Sequence, residues 1–141
     1  MGANTRETID VNGAIGSGKE VSIRLESTQP IVAERPIYFN FKGRNGGHNS
    51  TGATGASTLW YFAEGFTGDG FQEYLTLQNP GGTRANVTIE YQYRNGGGMT
   101  QIVSVVARET IDVNAVVGGG KEVSVTVTSD TPIIAERPMY F

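Results

Sequence analysis

Three acidic residues beside a glycine-bearing loop are the side chains best placed for chemistry in this sequence. Glu64, Asp69 and Glu73 surround the stretch GFTGDG at residues 65–70. Carboxylate oxygens on such a loop are ligands that Ca²⁺ accepts, and paired carboxylates are the minimum for glycoside hydrolysis. The spacing does not match an EF-hand loop, and the carboxylates are few. The three residues are therefore weak calcium candidates, and we predict no catalytic residue, no cofactor and no resident metal.

The single histidine, His48, limits the other kinds of site. A Ser-His-Asp triad or a histidine metal cluster would have to use it, yet no motif such as GxSxG surrounds it. Cysteine is absent, which excludes thiolate metal sites, disulfides and a cysteine nucleophile. We predict that His48 is a loop residue that orders a turn or an inter-repeat contact, and that the protein is not an enzyme.

An aromatic run raises a binding alternative. Trp60 and Tyr61 lead a group that includes Phe62, Phe66 and Phe71. Exposed aromatic rings could stack on sugars, so Trp60 and Tyr61 are the candidate glycan-binding residues, with cell-surface polysaccharide as the partner. The main interpretation is a sandwich core, because aromatic side chains bury the most area.

Two Glu-Arg pairs occupy matching places in the sequence. Glu34-Arg35 and Glu136-Arg137 both lie within the motif AERP. Neighbouring residues of a strand point to opposite faces, so each Glu and its adjacent Arg cannot pair closely with each other. An arginine on an inner face needs a carboxylate to offset its desolvation. We predict that the four residues form a structural clamp across strands.

These pairs belong to an internal repeat. Residues 6–39 recur as residues 108–141 at a constant offset of 102 without a gap, and 12 of the 34 aligned positions differ, which leaves 22 identical. Apolar exchanges such as Ile23 for Val125 are those that a packed core tolerates. Polar exchanges such as Arg24 for Thr126 are expected on a solvated face. The pattern predicts a tandem-repeat protein.

The elements that must position all these residues are strands. Apolar and polar residues alternate with a period of two across residues 19–27, 85–94 and 121–129, as in strands that bury one sheet face. No stretch predicts a helix convincingly. Seven strands are predicted, at residues 58–64, 72–78, 85–94, 99–106, 108–114, 121–128 and 132–140. The fold is predicted to be all-β, an immunoglobulin-like or fibronectin-like antiparallel β-sandwich, with an edge or bulge at Pro132 and Pro138.

The repeat sets the predicted domain organisation. Residues 1–39 are the C-terminal three strands of a preceding repeat, 40–57 are a Gly/Ser-rich inter-repeat segment of flexible composition, and 58–141 are a complete repeat. In the alternative, residues 6–107 close as a unit and 108–141 are the spare half. A spare half exposes an apolar face and can add to another chain, giving a swapped oligomer or a head-to-tail filament.

Charge and the distribution of apolar residues exclude two classes of partner. The net charge is −3 with acidic and basic residues interspersed, so no basic patch is present for a nucleic-acid backbone. No apolar run of 18 residues is present either, so membrane insertion is not predicted.

Several strings carry a family resemblance. They are WYFAEGFTGDGFQEYLTLQNPG at residues 60–81, GGHNSTGAT at 46–54, and AERPIYF and AERPMYF at 33–39 and 135–141. Together they resemble an uncharacterised repeat of large secreted or cell-surface proteins of Actinobacteria, Chloroflexi and relatives. The resemblance implies export, arrays that sit beside enzymatic domains or form stalks, and residues 40–57 as part of the repeat. It brings no activity and no catalytic residue.

The sequence therefore predicts a non-enzymatic structural or assembly module of an extracellular or cell-surface repeat protein. Its predicted partners are other copies of itself, in fibres or swapped oligomers formed by strand complementation, or adjacent repeats. The alternative is a carbohydrate-binding accessory module of a secreted enzyme.

Overall fold

A computed structural model describes all residues from Met1 to Phe141. Nine strands and two short helices follow one another along the chain. They are α1 (Val11–Ile15), β1 (Glu34–Phe41), β2 (Arg44–Thr51), β3 (Ser57–Phe62), β4 (Gln72–Gln78), β5 (Ala85–Tyr93), β6 (Gly98–Val105), β7 (Arg108–Asp112), α2 (Val113–Val117), β8 (Val123–Glu136) and β9 (Met139–Tyr140). Neither helix has the length and hydropathy of a membrane span.

Strands β3 to β9 form an antiparallel β-sandwich. One layer has the strand order β6-β5-β8-β3. In the other layer β4 pairs with β7 along one edge. Along its other edge, the N-terminal end of β4 pairs with β9 and its C-terminal end pairs with the end of β8. Strand β8 belongs to both layers because it is long enough to cross from one to the other. The prediction of an all-β antiparallel sandwich is confirmed.

The C-terminal strands differ from the two that the sequence predicts. One strand, β8, runs through Pro132 and pairs with β5 as far as Ser129 and with β4 from Ile134. No ladder pair involves residues 130–132, so the missing N–H of Pro132 removes no ladder bond. The register of β3 against β8 shifts at this point, and the predicted bulge is found there. Pro138 then separates β8 from the two-residue β9.

Fifteen buried apolar residues fill the space between the layers. They are Leu75, Leu77, Ala85, Val87, Ile89, Tyr91, Val105, Ile111, Val113, Val117, Val123, Val125, Val127, Ile133 and Ala135. Eight of the fifteen follow residue 107, so the second copy of the repeat supplies about half of this core. Burial raises the pKa of Tyr91 to about 12, and its hydroxyl donates to Gln101 Oε1 at 2.9 Å.

Two five-residue helices correct the expectation of strand and turn alone. The carboxylate of Asp10 caps α1 and that of Asp112 caps α2, and each accepts a backbone N–H bond of 3.1 Å. Gly16 and Gly118 end the helices with φ of 85° and 83°, a conformation that favours glycine. An Asp at the N-cap and a Gly after the last turn are the signals that the strand alternation concealed.

The segment 40–57 is not the flexible linker that its composition predicts. Residues 40–51 contain the end of β1 and all of β2, which form a β-hairpin closed by a two-residue turn in which Lys42 and Gly43 have φ of 49° and 79°. Phe39 lies opposite Gly46, where a Cβ would come within 2.9 Å of the ring. Glycine therefore leaves room for an aromatic ring to cover the strand, and ring packing replaces the missing side chain.

Candidate functional site

Residues 6–33, here called the free segment, contain α1 but no β-strand and no buried residue. Their apolar side chains face solvent. Ile9 is 65% exposed, Ile23 43% and Leu25 56%. Apolar side chains left exposed along a whole segment are a common feature of interaction surfaces.

Residues 108–135, here called the closing segment, are the counterpart of the free segment at the offset of 102. Ile111, Val125 and Val127 take the places of Ile9, Ile23 and Leu25, and they are 6%, 2% and 0% exposed. Nearly the same sequence thus occupies two opposite environments. The difference between them is one of partners, because only the closing segment packs against strands β3 to β6.

Strands β3 to β6, residues 57–105, are the acceptor half to which the closing segment adds. Within it, the first part of β8 lies between β5 and β3, and β7 pairs with β4. Without the closing segment, β3 would have no strand neighbour and β5 would keep only β6. The acceptor half is therefore incomplete alone, and its sheet is completed by strand addition.

Polar side chains fix the closing segment in register. Asn114 Oδ1 accepts from the backbone N–H of Glu73 at 2.8 Å, and its Nδ2 donates to the carbonyl of Phe71 at 3.0 Å. Glu122 accepts two bonds from Arg94 Nη1, at 2.7 and 3.0 Å.

The free segment carries the same two anchoring residue types. Asn12 and Glu20 stand at the positions equivalent to Asn114 and Glu122. Glu20 pairs instead with Arg108, at 2.7 Å, where its side chain is 77% exposed. The anchors of the free segment are therefore present but not used on an acceptor half.

An aromatic joint connects the hairpin to the sandwich. Phe39, Phe41 and His48 come from the hairpin, and Tyr74 and Tyr140 come from the sandwich. Tyr140 is the centre of the group, with its ring 4.8 Å from both phenylalanine rings and 6.2 Å from His48. His48 thus lies on a strand of the hairpin and contacts the second copy of the repeat.

Polar contacts surround this joint. Arg35 Nη2 lies 2.6 Å from Glu136 Oε2, so an arginine of the first copy pairs with a glutamate of the second. Lys42 Nζ donates to Gln72 at 2.7 Å, and Arg44 Nε donates to the carbonyl of Gly70 at 2.8 Å. The joint combines ring packing with three hydrogen-bonded side chains, and the hairpin has a defined seat on the sandwich.

The other two residues of the predicted clamp lie elsewhere. Glu34 is exposed at the start of β1. The guanidinium carbon of Arg137 lies 5.9 Å from the centre of the Phe62 ring, and its Nε and Nη1 are buried without a hydrogen-bond partner. Of the four predicted residues, only Arg35 and Glu136 are in contact as an ion pair.

The three calcium candidates are not brought together. Glu64 and Asp69 are exposed, whereas Glu73 is fully buried, and no group of three acidic or histidine side chains could hold a metal ion. Both carboxylate oxygens of Glu73 are buried without a hydrogen-bond partner. Burial raises the pKa of Glu73, and the attraction of Arg137 and the nearby backbone N–H of Phe66, which is too poorly aligned for a full hydrogen bond, oppose the shift. Glu73 is separated from the other two candidates because β4 points it inward, on the same face as Leu75 and Leu77.

The two glycan candidates lie on opposite faces of β3. Trp60 packs half-buried against the core, and its Nε1–H donates to the carbonyls of Ser57 and Ile133 at 3.2 and 3.1 Å. Tyr61 is 72% exposed. The rings therefore do not form one stacking platform. An open groove of about 680 Å³ lies elsewhere, beside Phe66, Phe71 and Tyr93.

Comparisons with known proteins give a fold and no family. No protein-family model and no curated protein matches the chain. Among solved structures, the Anabaena sensory rhodopsin transducer is 18% identical with a TM-score of 0.52, over 59% of this chain and 88% of that one. The Thermotoga maritima 1070 protein is 15% identical with a TM-score of 0.50, over 63% of this chain and 96% of that one. At these identities the likeness is one of fold alone.

Proposed function

We propose that this protein is a non-enzymatic structural module that assembles with other units of its own type by sheet completion. In this proposal a free segment of one unit fills the acceptor half of another unit whose own closing segment is not in place. The observation that supports it is the contrast between the exposed Leu25 and the buried Val127, which stand at equivalent positions.

The driving force is the burial of apolar side chains. Full burial of a Val, Leu or Ile side chain contributes about 1.5–3 kcal/mol, and eight core residues belong to the closing segment. A free segment that found a vacant acceptor half would gain a comparable area. Residues 1–141 hold two segments of the closing type and one acceptor half, so when one segment closes the sandwich the other is free to pair elsewhere.

The aromatic joint between the hairpin and the sandwich suits a structural role. The ring of Tyr140 and the carboxylate of Glu136 hold the hairpin that follows the free segment. Units joined in this way would keep a set orientation, as a stalk or fibre requires. The resemblance to secreted and cell-surface repeats supports an extracellular location for such an array.

A mixing experiment tests the assembly. An acceptor variant of the full chain, with Leu25→Asp and Val127→Asp, has both of its own segments disabled, because a buried unpaired charge is strongly unfavourable. Mixed with the unaltered protein, it is expected to form a 1:1 complex in size-exclusion chromatography with light scattering.

The matched control uses the single variant Leu25→Asp as the donor. This variant keeps its closing segment and its fold, but its free segment carries a charge where an apolar side chain is needed. It is expected to form no complex. Equal complex formation by both donors, or by neither, would contradict the proposal.

A further inference from the structure

We infer that the free segment is also a second, mutually exclusive partner for the acceptor half of its own chain. In that closure residues 6–33 replace residues 108–135, in the register set by the offset of 102, and residues 108–135 become the free ones. The inference goes beyond the proposed function, because it concerns pairing within one chain and needs no second molecule.

The side chains of the free segment fit the same core positions. Five of the eight buried positions of the closing segment have identical residues in the free segment. In the free segment these residues are Ile9, Val11, Val21, Ile31 and Ala33. Their buried equivalents in the closing segment are Ile111, Val113, Val123, Ile133 and Ala135. At the other three, Ile15, Ile23 and Leu25 stand for valine and add one carbon each. The apolar pattern is thus complete, with a slightly larger volume.

The backbone of the free segment already has the required turn. The N-cap Asp10 has φ and ψ of −77° and 101°, and Asp112 has −78° and 102°. Helix α1 therefore repeats the geometry of α2 although α1 buries no residue. Its local sequence forms this turn before any packing, which lowers the conformational entropy lost on docking.

Charge complementarity favours this docking. Thr126 of the closing segment lies opposite Glu90 of β5, and Arg24 stands at the equivalent position of the free segment. Docking in that register would set Arg24 against the exposed Glu90, and opposite charges directly across two strands are stabilising. Glu20 would likewise take the place of Glu122 beside Arg94.

The chain connection permits the exchange. In the hairpin Glu34 lies opposite Thr51, so the end of β2 lies one strand spacing from the start of β1, next to the end of the free segment. The partner of Ser57 in β8 is Ile133, whose counterpart is Ile31. In the alternative closure Ser57 would pair with Ile31, which lies three residues before Glu34 along the strand, a distance of about 10 Å. Residues 52–56 join Thr51 to Ser57, and five extended residues span roughly 17 Å, so this connection is long enough. Pairing within the chain also has the advantage of a high effective concentration.

Three features favour the observed closure. The three larger side chains of the free segment overpack a core that is already filled. Thr28 stands where Asp130 accepts two hydrogen bonds from Asn86, at 2.9 and 2.7 Å. The closing segment also follows β6 after only two residues, which makes its loop short. Removing part of this advantage should transfer pairing to the free segment.

Disulfide trapping in the full chain tests the inference, because the protein has no cysteine of its own. The pair Glu90→Cys with Thr126→Cys reports the observed closure, and Glu90→Cys with Arg24→Cys reports the alternative. The exchange is promoted with Val127→Ala, which weakens the closing segment, and Leu25→Val, which removes the excess volume. In this background we expect the yield of the 24–90 disulfide to rise at least several-fold, within monomers, while circular dichroism keeps its strand signal.

The opposite result is as clear. If the 90–126 disulfide stays complete and no 24–90 disulfide forms in the Val127→Ala, Leu25→Val background, the inference is wrong. A 24–90 disulfide found only between chains would also overturn it, although that outcome would support assembly. The variant Val127→Asp gives a second readout: it should keep its strand signal as a monomer, whereas the Leu25→Asp, Val127→Asp chain should lose that signal when no other chain is present to donate a segment. A Val127→Asp protein that unfolds, or that keeps its strands only as a dimer, would contradict the inference.

Discussion

The most unusual residue in the sandwich is Glu73, a fully buried carboxylate in β4. Its backbone N–H bonds to Asn114, but its side-chain oxygens have no hydrogen-bond partner. The opposite charge that acts on it is Arg137, which forms no ion pair with it and whose Nε and Nη1 are also buried without a hydrogen-bond partner. A buried pair without direct contact stabilises little, since desolvation of both charges exceeds their attraction.

The pKa of Glu73 is raised, chiefly by burial, so the folded state binds a proton more tightly than the unfolded state. The unfolding free energy therefore falls as the pH rises above the pKa that Glu73 has in the unfolded chain, about 4.3–4.5. The fall ends once the pH exceeds the raised pKa of Glu73 in the folded state. We expect Glu73→Gln to remove this decline and to raise the unfolding free energy at pH 7 relative to the unaltered protein, because burial penalises the charged carboxylate and the amide carries no charge. Urea unfolding between pH 4 and pH 8 measures it.

Glu64→Gln is the control for this change, because Glu64 is exposed in the loop that precedes β4. It should leave the pH profile of stability as it is. A Glu73→Gln protein that keeps the decline, or that loses stability at pH 7, would show that Arg137 neutralises the carboxylate more completely than the geometry indicates.

At the scale of elements, the sequence predicted the sandwich strands well where alternation is strict. Strand β4 has the predicted bounds, and β5 ends within one residue of its prediction, because side chains such as Val87 and Ile89 alternate between core and solvent. The sequence did not predict the hairpin, because the glycines of β2 have no β-strand propensity of their own. Aromatic rings of β1 pack over these glycines and hold β2 in place. The site was only partly foreseen: the ion pair of Arg35 with Glu136 crosses between copies, which strand alternation alone cannot specify.

The two helices give a matched pair of variants. Asp112 caps α2, whose Val113 and Val117 are buried in the core, and Asp10 caps α1, which buries nothing. Loss of an Asp N-cap typically costs about 0.5–2 kcal/mol. We expect Asp112→Ala to lower the global unfolding free energy by this amount and Asp10→Ala to leave it unchanged, as measured by denaturant titration. Equal losses from both variants would mean that α1 contributes to a folded core.

At the scale of the whole molecule, one acceptor half and two closing-type segments leave the chain with an unused apolar face. The sequence identified the two segments but not which of them closes the sandwich, because 22 of their 34 positions are identical. The choice depends on small differences: one extra carbon at Leu25 relative to Val127, and Thr28 in place of Asp130. Such differences are decided by packing and hydrogen bonds, which strand patterns do not report.

Hydrogen–deuterium exchange of the unaltered protein tests this account most directly. The two segments differ in sequence, so their peptides are distinguishable by mass. Amides of residues 123–129 bond into β3 and β5 and are expected to exchange slowly, whereas those of residues 21–27 lie outside any ladder and should exchange at nearly the rate of an unfolded peptide. Strong protection of residues 21–27, or none at residues 123–129, would contradict the assignment of one segment as closing and the other as free.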